Sequence, residues 1–354
     1  MSANISGCGL ACALGLDLAE CAANLRRGGR VPEQRALPGG MGGEFPYFAI
    51  PFFDGDWYGR ARVLVTRVAA EAGVRPGCRG ALLLATSSFD IGAVETGATG
   101  ATVGGYHAFI AHVAGWLDWA GPVYAVSTAC TSSLNAILMA QTLLAAGEVE
   151  EVLVLGVELE NRFTLGGFAA LQLLSRTTGQ PFGAQRDGLT LGEAVAAVRL
   201  STRDSASWRV LGGAHVLTGS NPAGASETAL AAMLAQTLTA SGLRAADIDL
   251  IKVQAAGSPA NDAIEAAALC AAFAPLPPLV SLKGAIGHVM GASGAAEIAL
   301  LTACIDQAAW PAVTGAIDIG LGVELATAMP PVQRLLATIL GFGGSHAAIV
   351  LERT

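Results

Sequence analysis

The sequence predicts an α/β fold, and three observations support that prediction. Short runs rich in Leu and β-branched residues alternate with longer Ala-rich segments along the whole chain, as buried strands and helices do in α/β proteins. Of the 354 residues, 53% are hydrophobic and only 14% are charged, so a large interior is available to a single compact body. The 45 glycines and an aromatic share of 6% indicate a core of small side chains and exclude a disordered chain.

The individual elements follow from the same pattern. Residues 123–126 predict a strand, which is followed by an Ala- and Leu-rich helix from about Thr131 to Ala146 that Gly147 closes. Residues 152–157 predict the next strand. The second half predicts helix 227–238, strand 248–253, a helix capped by Asn261 that runs through Phe273, strand 279–282, helix 292–306, and a terminal hairpin of 337–340 with 347–351.

The apolar pattern is broken most clearly at 201–207, where polar and charged residues replace it. We therefore predict two α/β parts, residues 1–203 and 204–354. The prolines at 275, 277 and 278 make a second stiff break, but that segment is too short to link independent domains.

Charge and cysteine usage disfavour several classes of protein. Twenty Lys and Arg against 28 Asp and Glu give a net charge of −8, and the longest basic run is the Arg26-Arg27 pair, which disfavours a nucleic-acid binder. We expect no membrane span, and no Lys or Arg precedes the apolar stretch 5–18 as in a signal peptide, so we expect a cytoplasmic protein. The seven cysteines are odd in number and have no metal-ligand spacing, which is typical of reduced thiols and predicts no metal site.

The segment 126–134 (VSTACTSSL) carries the strongest chemical signal, because it places Cys130 between the end of a strand and the start of a helix. A thiol at a helix N-terminus feels the helix dipole and free N–H groups, and both favour the nucleophilic thiolate. The alternative is a cysteine that only fills the core. That interpretation suits Cys8, Cys12, Cys270 and Cys304, which have no such context.

Five segments in order resemble the elongating β-ketoacyl-acyl-carrier-protein synthases of the thiolase-like superfamily. The segment 128–133 (TACTSS) is similar to their nucleophile motif. The other four are 5–9 (ISGCG), Pro181-Phe182 with Arg186-Asp187-Gly188 and Gly192-Glu193, Lys283 with Gly287-His288 and 291–297 (GASGAAE), and 340–345 (LGFGGS).

The resemblance implies a thiolase-like αβαβα sandwich of five layers, built from two similar halves. The first half, 1–203, would carry the nucleophilic cysteine, and the second, 204–354, the histidine and the glycine-rich turn. The family is dimeric and takes its substrates on the phosphopantetheine of an acyl carrier protein. The resemblance therefore implies that partner, a homodimer or a heterodimer with another ketosynthase, and no resident cofactor or metal.

The resemblance also implies roles for single residues. Cys130 would attack an acyl thioester, and His288 would stabilise the developing oxyanion. Lys283 and Glu297 would orient His288, although a purely structural ion pair is an equal alternative. The backbone N–H groups of Cys130 and Phe342 would form the oxyanion hole, with the Phe342 ring as a gate over the thiol.

Two departures from the family pattern bear on the reaction. Where the family has a second histidine followed by Gly-Thr-Gly-Thr, this chain has Ala256, and Ser258 is the remaining hydroxyl that could bind phosphopantetheine. In the family both histidines assist decarboxylation of a malonyl extender, so Ala256 implies impaired elongation with acyl transfer retained. His346 stands where the family has Asn, and a relocated histidine and an unrelated one are both open.

Three functions are compatible with this sequence. The first is an acyltransferase of the 3-oxoacyl-ACP synthase type that loads Cys130 and condenses the chain with malonyl-ACP, in fatty acid or polyketide biosynthesis. The second is a non-elongating transacylase or hydrolase. The third is a chain-length-factor-like partner subunit, which the intact Cys130 motif disfavours. Arg60, Arg62 and Arg67 are candidate contacts for an acidic carrier protein, although a solvated helix face explains them equally well.

Overall fold

The computed structural model describes residues 3–37, 43–52, 55–97, 106–219, 224–313 and 315–354. Its strands are β1 (Ala3–Cys12), β2 (Glu33–Ala36), β3 (Glu44–Phe48), β4 (Ala81–Ala85), β5 (Val123–Val126), β6 (Glu151–Glu158), β7 (Leu191–Gly192), β8 (Ala194–Ser201), β9 (Trp208–Leu217), β10 (Leu250–Lys252), β11 (Leu279–Val280), β12 (Arg334–Leu340) and β13 (Ser345–Arg353). Its α-helices are α1 (Leu18–Arg26), α2 (Trp57–Glu71), α3 (Ile91–Thr96), α4 (Tyr106–Trp116), α5 (Ser132–Ala146), α6 (Arg162–Ala170), α7 (Glu227–Ser241), α8 (Pro259–Ala272), α9 (Lys283–Ile286) and α10 (Ser293–Asp306).

Ten of these strands form one mixed sheet in the order β11-β10-β12-β13-β9-β1-β8-β6-β4-β5. The sheet has two halves of five strands that meet where Ala3 and Asn4 of β1 pair with Val210 and Arg209 of β9. Outward from that junction, each half has two antiparallel pairings followed by two parallel ones. The predicted repetition of one α/β design in two halves is therefore confirmed.

The layers follow from which side chains each strand buries on each face. On β13, Ala347, Ile349 and Leu351 belong to the central core that contains α5 and α10, whereas Ala348 and Val350 belong to the outer core under α7 and α8. The strands of the first half divide in the same way between the central core and an outer core under α2 and α4. The result is the predicted order of five layers, with α5 and α10 between the two half-sheets.

Most predicted elements are present within a few residues of their expected bounds, but one predicted cap is wrong. The extended residue Ser258 caps α8, with Pro259 in the first turn, and Asn261 lies inside the helix. Proline suits this position because the first N–H groups of a helix have no partner within the helix. Residues 202–207 link β8 to β9 and include the predicted boundary at 203/204.

Two further expectations can be compared with the structure. The stretch Ala129–Ala146 is long and apolar enough to span a bilayer by composition, but 50% of it is buried inside the fold, where α5 is a core helix. Cys270 was expected in the core, yet it is exposed on α8.

Candidate active site

Cys130 lies in a tight turn between β5 and α5. Ala129, just before it, has a left-handed φ of 53°, which directs the cysteine back toward the junction of the two halves. The side chains of the turn stabilise this shape: the Ser132 hydroxyl donates to the Ala129 carbonyl at 2.6 Å and accepts from the Thr128 N–H at 2.9 Å. The thiol is therefore held in place by its own local sequence.

His288 places its ring against that thiol, with Nε2 at 3.1 Å from Cys130 Sγ. Its backbone is fixed to the strand segment beside it, because its N–H donates to the Thr190 carbonyl at 2.7 Å. Gly287, just before it, has φ 72°, and a Cβ there would lie 2.8 Å from the Leu191 carbonyl oxygen. A glycine is needed at this position to bring the histidine close to the thiol.

A chain of hydrogen bonds behind His288 sets its tautomer. Lys283 Nζ lies 3.1 Å from Ser293 Oγ, and Ser293 Oγ lies 3.3 Å from His288 Nδ1. Because an ammonium group can only donate, the serine oxygen accepts from Lys283, and its own hydrogen is then available to Nδ1. We therefore assign to neutral His288 the tautomer with its hydrogen on Nε2, in which Nδ1 accepts from Ser293 and Nε2–H donates to Cys130 Sγ.

Two buried lysines share the carboxylate of Glu297. Lys283 Nζ binds Oε1, and Lys252 Nζ binds Oε2 at 2.6 Å. The sequence pattern predicts Lys283 and Glu297 together but does not single out Lys252. A signal existed, because a lysine inside the apolar strand sequence of β10 needs a buried partner.

Burial favours the uncharged form of both the Cys130 thiol and the His288 imidazole, whereas the nearby lysine charges lower the pKa of both groups. Burial raises the pKa of Cys130 to about 11, although the Lys283 charge and the N–H groups of Phe342 and Cys130 lower it. Burial, followed by the charges of Lys283 and Lys252, lowers the pKa of His288 well below its usual value. At neutral pH the pair is therefore an uncharged thiol and an uncharged imidazole.

Phe342 separates two cavities that meet at Cys130. A smaller cavity of ≈ 40 Å³ has a mixed lining that includes Cys130 and Phe342, and we call it the polar cavity because Gln254, His288 and His346 also line it. An apolar cavity of ≈ 250 Å³ lies on the other side and is lined by Cys130, Phe342 and the exposed face of α6. The Phe342 ring stacks on Phe168 of α6 with centroids 5.1 Å apart, in the position predicted for a gate.

The polar cavity also contains the positions at which the chain departs from the family pattern. Ala256 lines it with only a methyl group, and Ser258 lines it while accepting the Asn261 N–H as the helix cap. His346 is buried, and neither ring nitrogen has a hydrogen-bond partner among the described residues. Burial and the neighbouring His215 lower the pKa of His346 to about 4, so its ring is neutral at pH 7.

One predicted surface contact is wrong. Arg60 is buried and makes a two-pronged ion pair with Glu193, so it cannot contact a carrier protein. Arg67 pairs with Asp17, and Arg62 is exposed. Within the described ranges, no group of three or more His, Cys, Asp or Glu side chains is placed to hold a metal ion.

Comparisons with known proteins agree with this geometry. The family model "Beta-ketoacyl synthase, N-terminal domain" matches residues 65–206, and the model "Beta-ketoacyl synthase, C-terminal domain" matches residues 210–316. The 3-oxoacyl-[acyl-carrier-protein] synthase 2 of Rhizobium meliloti is 31% identical in an alignment 267 residues long that covers 66% of this chain and 61% of that protein. The chloroplastic synthase II of Arabidopsis thaliana is 29% identical in an alignment 262 residues long that covers 66% of this chain and 48% of that protein. The alignments therefore span less than two thirds of these relatives.

Solved structures show the same fold over the whole chain. The AntDE:AntF complex of a type II PKS acyl-carrier protein with its ketosynthase has a TM-score of 0.88 at 19% identity and covers 100% of this chain and 99% of its own. The ishigamide ketosynthase/chain length factor has a TM-score of 0.86 at 21% identity, with coverage of 100% and 99%. At these identities the likeness establishes the thiolase-type α/β fold alone. Together with the two family models, it shows that this chain belongs to the β-ketoacyl synthase family.

Proposed function

We propose that this chain is an acyltransferase of the 3-oxoacyl-ACP synthase type, in which Cys130 takes an acyl chain from the phosphopantetheine of an acyl carrier protein. The observation that carries the proposal is the distance of 3.1 Å between Cys130 Sγ and His288 Nε2, at a sulfur that also accepts the N–H groups of Phe342 and Cys130. A cysteine surrounded by three donors is arranged to stabilise negative charge.

The proposed step is thioester exchange. The sulfur of Cys130 attacks the thioester carbonyl, the bond from that carbon to the carrier's sulfur breaks, and the proton of the Cys130 thiol leaves on the carrier's thiol. During attack, the N–H groups of Cys130 and Phe342 bind the carbonyl oxygen as it becomes negative. The Nε2–H of His288 stabilises the anionic sulfur. This step needs no resident cofactor, because the carrier brings the phosphopantetheine.

The two cavities would take different parts of such a substrate. The apolar cavity of ≈ 250 Å³ would hold the acyl chain. The polar cavity, which Ser258 and Asn261 help to line, would admit the thiol end of the phosphopantetheine, and at ≈ 40 Å³ it would have to widen to hold more of that arm. The relatives named as 3-oxoacyl-[acyl-carrier-protein] synthases support a carrier-bound substrate. A cytoplasmic location remains a prediction.

We also propose a ketosynthase-like partner subunit. In the described sheet, β5 is a terminal strand, and its Tyr124 is 42% exposed, so the strand edge is open to pairing with a second copy or another ketosynthase. Ala256 favours a second candidate function, a non-elongating transacylase or hydrolase, because only a methyl group lines the thiol cavity there. One structural neighbour, ApeO of Xenorhabdus doucetiae, is a ketosynthase in complex with its chain length factor.

Intact-mass spectrometry with acyl-ACP, followed by malonyl-ACP, tests these functions. The proposal predicts an acyl adduct on the wild-type chain and on Cys270→Ala, whose cysteine is exposed and remote from the cavities, but none on Cys130→Ala. Conversion of the adduct to ketoacyl-ACP would establish elongation, whereas transfer or hydrolysis alone would establish a non-elongating enzyme. Absence of any adduct would contradict the acyltransferase and favour the partner subunit.

A further inference from the structure

Lys252 is a buried cation that the proposed acyl transfer does not use. It lies on β10 with its side chain 2% exposed, and its ammonium group has two partners, Glu297 Oε2 and the Thr338 carbonyl oxygen, each at 2.6 Å. Glu297 is fully buried on α10 and binds Lys283 through its other oxygen. Two cations therefore share one carboxylate next to the active site.

The acidic groups around this cluster do not balance its charge. Glu265 of α8 is the other carboxylate near Lys252, and it accepts the Gln254 and Ala255 N–H groups and the Thr338 hydroxyl. Burial raises the pKa of Glu265 to about 7, so it is only partly ionised at neutral pH. Burial lowers the pKa of Lys252, and the charge of Glu297 opposes that shift, so the contact with Glu297 is what favours the charged form of this lysine. Since a buried charge is costly, a second lysine here is unexpected unless its charge has a use.

We propose that Lys252 is a positioning residue of the Cys130 site that acts through Glu297. By holding Oε2, it turns Oε1 toward Lys283, and Lys283 in turn donates to Ser293, whose hydroxyl faces His288. The inference rests on the proposed function in taking Cys130 as the nucleophile. It adds to that function a second cation, on strand β10 rather than helix α9, that makes the site complementary to an anion.

The charge of this cluster has a defined direction of effect. The groups that face His288 and Cys130 are Lys283 and Lys252, whose charges lower the pKa of His288, and Glu158, whose charge raises the pKa of Cys130. An excess positive charge keeps His288 neutral and favours an anion at the sulfur or at a carbonyl oxygen bound there. Removal of Lys252 should therefore make the Cys130 thiolate harder to form.

Alkylation of Cys130 by iodoacetamide as a function of pH tests this inference on the full chain. We expect Lys252→Met, which keeps the chain length without the charge, to slow alkylation at pH 8 by about tenfold, the effect of one charge at the far side of the cluster. Lys252→Arg keeps the charge and should stay within about twofold of wild type, since only hydrogen-bond geometry changes. Lys252→Gln keeps a donor to Glu297 and replaces the Met variant if that variant does not fold.

Arg60→Met is the matched control, because it also removes a cation from a buried glutamate, Glu193, and Arg60 is not among the charges that shift the pKa of His288 or Cys130. It should lower the thermal unfolding temperature and leave the alkylation profile unchanged. The inference is overturned if Lys252→Met and Lys252→Gln lose stability but alkylate with the wild-type pH profile. That result would leave carrier-dependent acylation of Cys130 intact, whereas failure of the proposed function would abolish acylation in the wild-type chain itself.

Discussion

Ser293→Ala is the sharpest test of the hydrogen-bond chain behind His288. The substitution removes one hydroxyl that accepts from Lys283 Nζ at 3.1 Å and faces His288 Nδ1 at 3.3 Å. A hydrogen bond to a charged group contributes about 1.5–3 kcal/mol, so the free energy of unfolding should fall by about 2 kcal/mol. Without the serine hydrogen, Nδ1 no longer has a fixed partner, and His288 should populate both neutral tautomers.

The tautomer is measured by 15N NMR of histidine-labelled protein, and the chemistry by single-turnover acylation of Cys130. In the wild type we expect one tautomer, with the hydrogen on Nε2. In Ser293→Ala we expect a mixture and a loss in acylation rate of about tenfold, which corresponds to about 1.4 kcal/mol of transition-state stabilisation.

Ser133→Ala is a suitable control, because Ser133 is also buried and its hydroxyl contacts the helix that carries Ser293. That hydroxyl accepts the N–H of Ala295 on α10 at 3.0 Å, without contacting His288. It should lose comparable stability and keep the wild-type tautomer and rate. A Ser293→Ala protein with a single Nε2–H tautomer and wild-type acylation would refute the assignment.

Two further predictions concern the last strand and the turn before it. His346→Asn should make the fold less sensitive to acid. In the wild type the pKa of His346 is about 4 in the folded chain and about 6.5 in the unfolded chain, so the unfolded chain takes up a proton first as the pH falls. This lowers the free energy of unfolding by about 3 kcal/mol in full, and urea titrations at pH 4 and 7 measure how much of that loss the variant avoids. The same variant should retain acylation of Cys130, and an equal acid sensitivity in the variant would show that His346 titrates normally in the fold. Gly344→Ala should destabilise the fold by more than about 2 kcal/mol and slow acylation, because its φ is 73° and a Cβ would overlap the Thr218 carbonyl oxygen beside the Phe342 turn. Wild-type stability of that variant in the same titration would mean that the turn can move.

Sequence predicts best what depends on neighbours in the chain. The turn that presents Cys130, the helix after it and the terminal hairpin are encoded by local patterns, and all three are present. Lys252 and Glu297 are 45 residues apart and Arg60 and Glu193 are 133 apart, so their pairing depends on how the two half-sheets and their helices pack. The charge pattern of α2 resembles an exposed helix face, and nothing local indicates that Arg60 points inward.

In the proposed function, the electrostatics of the site explain how a deeply buried cysteine would act as a nucleophile. With a pKa of about 11, only about one thiol in ten thousand is ionised at pH 7, so the resting group is protected from adventitious reaction. The uncharged imidazole of His288 cannot take up the thiol proton, since its Nε2 already carries a hydrogen.

The anion becomes accessible when the bound thioester is attacked, because the negative charge is then shared between the sulfur and a carbonyl oxygen that the N–H groups of Cys130 and Phe342 can bind. The positive charge of Lys283, reinforced by Lys252, lies behind this group of donors and stabilises that anionic stage more than the neutral resting state. A site of this kind gains its reactivity from the substrate it binds, which is why the acylation rate should respond to changes in the lysine cluster more strongly than the affinity for carrier protein does.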